Sequence, residues 1–332
     1  MSTLEDVARK AGVSLATASR VLNGSTRRVG APLREKVERA AAELGYEANV
    51  AAQALARGSS NVVGLVVHTL DDPYFATMAE GAIRAAERHG LTVMVGTTRR
   101  DPEREVELVA TLRAQRSRAI VLAGSRTTDA GATRRLRAEL DRYRASGGRV
   151  ACVGQDLLGA VTVAPGNREG AAALARALAD LGHRHFAVLT GPADLITGVD
   201  RTEGFTRALD ELALPAPRLV PGGFDRDGGH TAALDLLNAG TDDLTCVFAV
   251  NDVMAVGALA AFRERGVAVP DELSVAGFDD IATLRDLVPA LTTVRLPLTW
   301  MGERVLELAL ADDAATEHVP AEIILRESTR KL

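Results

Sequence analysis

From Val62 onward the chain alternates short β-branched, apolar runs with amphipathic stretches of helical period. The runs VVGLVV, LTVMV, AIVL, RVACV, AVTV, HFAVL, RLV, TCVFAV and LSVAGF are apolar at successive positions, not at every second one. Strands of that kind are covered on both faces, the condition of a parallel sheet between two helical layers. Stretches such as 75–89, 103–116, 167–181, 199–212, 227–239 and 251–265 supply the layers through right-handed crossovers. Nine strands before Ile281, in a chain of 332 residues, exceed one hydrophobic core and predict two lobes. No residue-level repeat relates the halves, and there is no low-complexity tract.

The first 60 residues follow another pattern. Leu4, Val7, Ala8 and Ala11 share one helical face, with Thr3 placed to cap it. Gly12-Val13-Ser14 interrupts this helix, and Ala18, Val21 and Leu22 form a second face that stops at Asn23-Gly24. Pro32 opens a third helix, lined by Leu33, Val37, Ala40, Ala41 and Leu44 and ended by Gly45. Three small apolar faces suffice for a miniature core. Residues 49–57 are alanine-rich and leave through Gly58-Ser59-Ser60, a linker or a marginal helix. Up to Ser60 the chain has nine basic and six acidic residues, a sum of +3, so of the total of −5 the remainder carries −8. A basic arm on an acidic body is the charge pattern of nucleic-acid contact, because Arg and Lys displace the counterions condensed on phosphates.

Several function classes are disfavoured. No apolar run approaches the roughly 20 residues of a membrane span. The opening MSTLEDVARK is not a signal peptide, so a cytoplasmic protein is expected. Cys152 and Cys246, each within an apolar run, read as small buried side chains. No Gly-rich phosphate loop, nucleophile elbow or metal-spaced histidine pair is present, so no catalytic residue, metal or cofactor is expected. His183 and His185, at a strand start, read as satisfied or surface histidines, and Asp279-Asp280, adjacent at a strand end, should point different ways.

The segment TLEDVARKAGVSLATASRVLNG resembles the helix-turn-helix of the LacI/GalR family. With Ala18, Val21 and Leu22 inward, Leu15, Ala16, Ser19, Arg20 and Asn23 face outward. Arg20 is suited to a guanine O6/N7 edge, and Ser14, Thr17, Ser19 and Asn23 to phosphate oxygens. In the family, the first two exposed positions of the recognition helix help select sequence. Here they are Leu15 and Ala16, limited to apolar contacts, so direct readout should rest on Arg20. ANVAAQALARG resembles the family's hinge helix, with Asn49 at its start and Leu55 as the wedge that enters the minor groove.

The remainder resembles the family's periplasmic-binding-protein-like core, through LDDPYF, RTEGF, VNDVMAVGAL, PDELSVAGFDD and the closing RES. The resemblance implies an all-α helix-turn-helix headpiece (1–48), a hinge (49–60) and an α/β sensing domain of two doubly wound parallel-sheet lobes (61–332). The first lobe is expected at about 61–158 and 296–318, the second at about 159–295 and 319–332. Three crossings join them, the last returning the helix at 297–311 to the first lobe and leaving AEIIL as a strand of the second. The cleft residues implied are Tyr74, Phe75, Arg201, Phe224, Asn251 and Asp279. The residues also admit plainer readings: Asn251 as a helix cap, Phe224 as core, and Arg201 with Asp279 as an internal ion pair. Where many members have an aspartate after the strand RVACV, this chain has Gly154-Gln155, with Gln155 as a possible replacement. Together these imply a homodimeric repressor that binds a palindromic double-stranded operator under allosteric control by a sugar or sugar derivative, without membrane contact. The alternatives are a purine- or nucleoside-responsive regulator and a sugar-binding protein without a DNA function.

Overall fold

A computed structural model describes residues 2–22, 29–46 and 59–332. The chain divides into two units, Met1–Asn61 and Val62–Leu332. In the first, Thr3 opens α1 (Leu4–Ala11) with a reciprocal cap: its hydroxyl accepts from the Asp6 amide while the Asp6 carboxylate accepts from the Thr3 amide. Gly12, at a φ of 63°, ends the helix and turns the chain into α2 (Leu15–Leu22). Helix α3 (Ala31–Glu43) carries Pro32 in its first turn, where a missing N–H costs nothing. Val7, Ala8, Ala18, Val37, Ala40 and Ala41 form the buried centre of the three.

The second unit runs β1 (Val62–Val67), α4 (Pro73–Arg88), β2 (Thr92–Thr97), α5 (Pro102–Ala114), β3 (Ala119–Ala123), α6 (Ala130–Ala145), β4 (Arg149–Val153) and β5 (Val161–Pro165). It continues with α7 (Asn167–Asp180), β6 (Phe186–Leu189), α8 (Ile196–Glu211), β7 (Arg218–Val220), α9 (Arg226–Asn238), β8 (Cys246–Ala249), α10 (Asp252–Glu264) and β9 (Ser274–Ala276). The chain closes with β10 (Thr293–Arg295), α11 (Leu298–Leu310), β11 (Glu317–Val319) and β12 (Glu322–Ile324). All nine expected strands form.

The first lobe is a six-stranded parallel sheet in the order β11-β5-β4-β3-β1-β2. Its two faces explain the continuous apolar runs. Val63, Leu65 and Val67 share one buried cluster with Phe75 and Met78 of α4 and Met301 and Val305 of α11. Val66, Ile120 and Leu122 belong to the other, with Val109 and Leu112 of α5 and Leu136, Leu140 and Tyr143 of α6. Burying each such Val or Leu fully contributes about 1.5–3 kcal/mol. The second lobe is a four-stranded parallel sheet, β7-β6-β8-β9, to which the antiparallel pair β10-β12 is joined by bridges at Ala276–Thr292 and Asp279–Arg295.

Two features depart from the sequence reading. Strand β5, expected at the start of the second lobe, pairs with β4 and β11, so the first lobe runs to Pro165 instead of 158. A parallel connection normally takes a dozen or more residues with a helix. Here residues 154–160 suffice because β4 and β5 pair over only three residues, and the return buries Leu158 and Ala160 against the sheet. Helix α6 lies in a stretch where no helix was marked, and it turns Ala132, Leu136, Leu140 and Tyr143 inward together with Glu139, whose buried carboxylate accepts from Arg113 and Arg142.

Helices α4 and α11 meet backbone to backbone. A Cβ on Gly81 would lie 2.1 Å from the Thr299 carbonyl oxygen, and one on Gly302 would lie 2.0 Å from that of Met78.

Candidate effector cleft and DNA-reading face

Open parallel sheets bind ligands beyond the carboxyl ends of their strands, where loops converge. In the first lobe those ends carry His68 after β1, Arg100 after β2, Ser125 after β3 and Gly154 after β4. They face Asn167, Leu195, Thr197, Arg201, Phe224 and Asp279 of the second lobe, and the space between, counting its open mouth, is about 480 Å³. Tyr74, Phe75, Arg201, Phe224 and Asp279, all expected here, line it; Asn251 does not. Asn251 instead caps α10, its Oδ1 accepting from the Met254 amide at 2.8 Å, while its buried Nδ2 has no partner.

Arg201 is almost fully enclosed. Its Nε donates to Asn167 Oδ1 at 2.9 Å, its Nη1 to the Val250 carbonyl at 2.7 Å and its Nη2 to Asp279 Oδ1 at 2.7 Å. The guanidinium carbon lies 3.8 Å from the centre of the Phe278 ring. The internal ion pair and the cleft position therefore both hold, with Arg201 fixing Asp279 in place. Burial pushes the Asp279 carboxyl up to about 6, against the pull of Arg201. Asp279 also has a φ of 123°, a conformation that non-glycine residues rarely adopt and that often marks a ligand site. Asp280 points away, to Arg295 and Arg326.

Across the cleft, His68 Nε2 faces the Ser125 carbonyl at 3.2 Å and Nδ1 faces Thr98 Oγ1 at 3.0 Å. A carbonyl only accepts, so Nε2 carries the proton and Nδ1 accepts from the hydroxyl. Burial, with Arg126 and Arg100 nearby, drives this imidazole down to about 3, and it is neutral at physiological pH. Asp72 caps α4 through the Tyr74 amide, and burial raises its carboxyl.

A clasp joins the lobes at one side. The Ile196 amide donates to the Arg126 carbonyl, the Thr128 amide to the Asp194 carbonyl and the Thr197 amide to Ser125 Oγ, at 2.9–3.0 Å. Gln155 completes it: its Oε1 accepts from the Arg126 amide at 2.8 Å, and its Nε2 donates to Thr197 Oγ1 at 3.0 Å. With both ends of its amide engaged, Gln155 tethers the lobes instead of replacing a sugar acceptor. Arg100 adds a second bridge, its Nη2 donating to the Phe224 carbonyl at 3.1 Å.

Sequence reasoning missed His68, Asp72, Arg100, Ser125 and Thr197. Their signal was positional, since His68, Arg100 and Ser125 follow the carboxyl ends of β1, β2 and β3. His183 is buried between Thr245 and the Arg330 carbonyl, and burial raises the thiols of Cys152 and Cys246. Among the described residues no His, Cys, Asp and Glu cluster is arranged to hold a metal, and no helix is long and apolar enough to cross a membrane.

In the first unit, Leu15, Ala16 and Arg20 are exposed on α2, while Ser19 is half-buried. Ser14 and Thr17 engage each other, their hydroxyls 2.9 Å apart and the Thr17 amide donating to Ser14 Oγ at 3.2 Å, so Ser14 caps α2. Asn23, Asn49 and Leu55 lie outside the described residues.

Residues 3–49 match the family described as bacterial regulatory proteins, lacI family, and residues 175–329 match the periplasmic binding protein-like domain. The chain is 36% identical to the HTH-type transcriptional regulator GalS of Salmonella typhimurium, over 97% of this chain and 93% of that protein. Its fold matches the lac repressor dimer bound to operator and the anti-inducer ONPF with a TM-score of 0.84 at 27% identity, covering 99% of each chain. A transcriptional regulator CelR–cellobiose complex matches with a TM-score of 0.70 at 28% identity, covering 99% of this chain and 100% of that one. A helix-turn-helix unit followed by a two-lobed body with a cleft, similar along its whole length to such regulators, places this chain in the LacI family, as a DNA-binding transcriptional regulator and not an enzyme.

Proposed function

We propose that this protein is a cytoplasmic, homodimeric repressor of a palindromic operator whose DNA affinity is set by a saccharide held between its lobes. The observation that carries the effector reading is the buried Arg201–Asp279 pair beside the Phe224 ring. Arg201 takes up Oδ1 of Asp279, while Oδ2 makes no hydrogen bond to another described residue and suits a sugar hydroxyl. Phe224 offers an aromatic face to the apolar side of the ring. The CelR–cellobiose complex, alike in fold, supports a sugar in such a cleft.

On the DNA side, Arg20 reads a guanine, Leu15 and Ala16 touch thymine methyls, and Ser14, Thr17, Ser19 and Asn23 position the headpiece on phosphates. Asn49 opens the hinge, and Leu55 wedges the minor groove between two half-sites. Saccharide and operator then change each other's affinity by one coupling factor.

The test is to select DNA from a random duplex library with the full chain, then titrate the selected operator with and without sugars and purines. A palindromic operator whose affinity shifts with a sugar supports the proposal. A shift with a purine alone moves the effector to the other class, and selection of no palindrome removes the operator reading.

A further inference from the structure

Asp252 is wholly buried at the first position of α10, and no cation pairs with it among the described residues. It neither caps the helix, which Asn251 does, nor lines the cleft. A buried carboxyl of this kind is costly unless its oxygens are used. Its bonds all run to one place. The Asp252 amide donates to the Phe278 carbonyl at 2.9 Å, Oδ2 accepts from the Ile281 amide at 3.0 Å, and Oδ1 accepts from Thr293 Oγ1 at 2.6 Å. Phe278 and Ile281 are the two ends of the turn that carries Asp279 and Asp280. The chain enters that turn hard against the carboxylate, since a Cβ on Gly277 would lie 2.3 Å from Asp252 Oδ1.

The turn needs such a clamp. Asp279 at a φ of 123° and Asp280 at 56° are consecutive non-glycine residues in the left-handed half of the map. Strain of that kind persists only where the surroundings over-determine the backbone. Asp280 is fixed from the side of Arg295 and Arg326. The Asp279 backbone pairs with β10 and the residue after it, its amide donating to the Val294 carbonyl at 2.8 Å and its carbonyl accepting from the Leu296 amide at 3.3 Å. Thr293 belongs to the same strand, so one carboxyl of α10 ties the turn to the strand beside it.

We propose that Asp252 is a positioning residue of the effector cleft, holding the 278–281 turn so that the Asp279 carboxylate stands against Arg201 and faces the ligand. This rests on the reading of Asp279 as an effector contact, and it holds for a sugar or a purine alike. The experiment compares the full-length parent with Asp252→Ala, Asp252→Asn and Thr293→Val by amide hydrogen exchange and by calorimetric titration with galactose, glucose and hypoxanthine. In Asp252→Ala, exchange at the Asp279 and Ile281 amides should quicken, and affinity for whichever probe binds the parent should fall, each at least about tenfold. Val247 and Ala249 of β8 should stay as protected as in the parent. Thr293→Val removes one bond and should fall between. Asp252→Asn, whose amide can accept from Ile281 and donate to Thr293 Oγ1, should stay within about threefold of the parent.

Unchanged exchange in the turn, or exchange quickened equally in β8, would overturn the proposal and make Asp252 an ordinary core residue. A loosened turn with undiminished affinity, or an Asp252→Asn as impaired as Asp252→Ala, would overturn it too. Binding of hypoxanthine alone would remove the saccharide reading while leaving Asp252 to the same comparison. If no probe binds the parent, the exchange pattern across the three variants decides for or against Asp252.

Discussion

Arg201 and Asp279, 78 residues apart, are locked together at 2.7 Å inside the second lobe, the first on α8 and the second after β9. Removing one partner of such a pair leaves an unbalanced buried charge, which costs about 3–5 kcal/mol. Asp279→Ala should therefore lower the melting temperature as well as abolish the sugar response, and Asp279→Asn, which keeps an acceptor for Arg201, should abolish the response with a smaller loss of stability. Unfolding curves beside operator titrations check this. A normally responsive Asp279→Asn would remove Asp279 from the effector site.

Arg20 stands exposed in the last turn of α2, beyond Leu15 and Ala16 in its first. Arg20→Ala should relax the preference at one base pair per half-site, worth about 1–3 kcal/mol, and leave other positions unchanged. Measured affinities for single-base operator variants decide it; uniform weakening would assign Arg20 to the phosphates.

Because the His68 imidazole sits at about 3 in the folded state and near 6.5 unfolded, the unfolded chain takes up the proton first on acidification. Its contribution to stability is complete above pH 6.5 and is lost as pH falls toward 3, up to about 2 kcal/mol between pH 6.5 and 5. Glutamine can donate to the Ser125 carbonyl and accept from Thr98 without titrating. His68→Gln should thus match the parent at pH 7 and lose less between pH 6.5 and 5 in urea unfolding; parallel losses would disprove the assignment.

Gln155 bonds to both lobes at once. Gln155→Ala should speed hydrogen exchange at the Arg126 and Thr197 amides and weaken sugar binding several-fold, since each lost hydrogen bond is worth about 1 kcal/mol. Unchanged exchange at both amides would mean that the backbone contacts alone hold the clasp.

Most of the architecture was readable because parallel strands buried on both faces write continuous apolar runs, as in VVGLVV and TCVFAV. Where burial is one-sided, that signal fades. Helix α6 turns only four apolar residues inward, beside a buried Glu139 and against Arg134, Arg135, Arg137, Arg142 and Arg144, and the β4–β5 turn omits the helix that normally announces a parallel neighbour. At the site, residues whose type suggests chemistry, such as Arg201 and Phe224, were found, while Gln155 was read only as a replacement acceptor and Arg100 was missed, because their roles depend on which loops face each other. Asn251 erred in the other direction, a polar residue whose oxygen serves a helix end.

Gly302→Ala should destabilise the protein by about 1–3 kcal/mol, because its methyl would meet the Met78 carbonyl and force α4 and α11 apart. Thermal unfolding measures it, and an unaffected melting temperature would show that the helices can separate freely.

That contact between α4 and α11 also bears on how a signal travels. Most helix interfaces hold a layer of side chains whose rotamers can yield, and such a layer works as a cushion. At Gly81 and Gly302 there is no cushion, and residues more than 200 apart in sequence are seated main chain on main chain. A push arriving from the second lobe along the strand into α11 has no rotamers there to dissipate it. A displacement of α11 is therefore passed to α4 with little loss, and under the proposed function this contact is what would carry an effector's closure of the cleft into the first lobe.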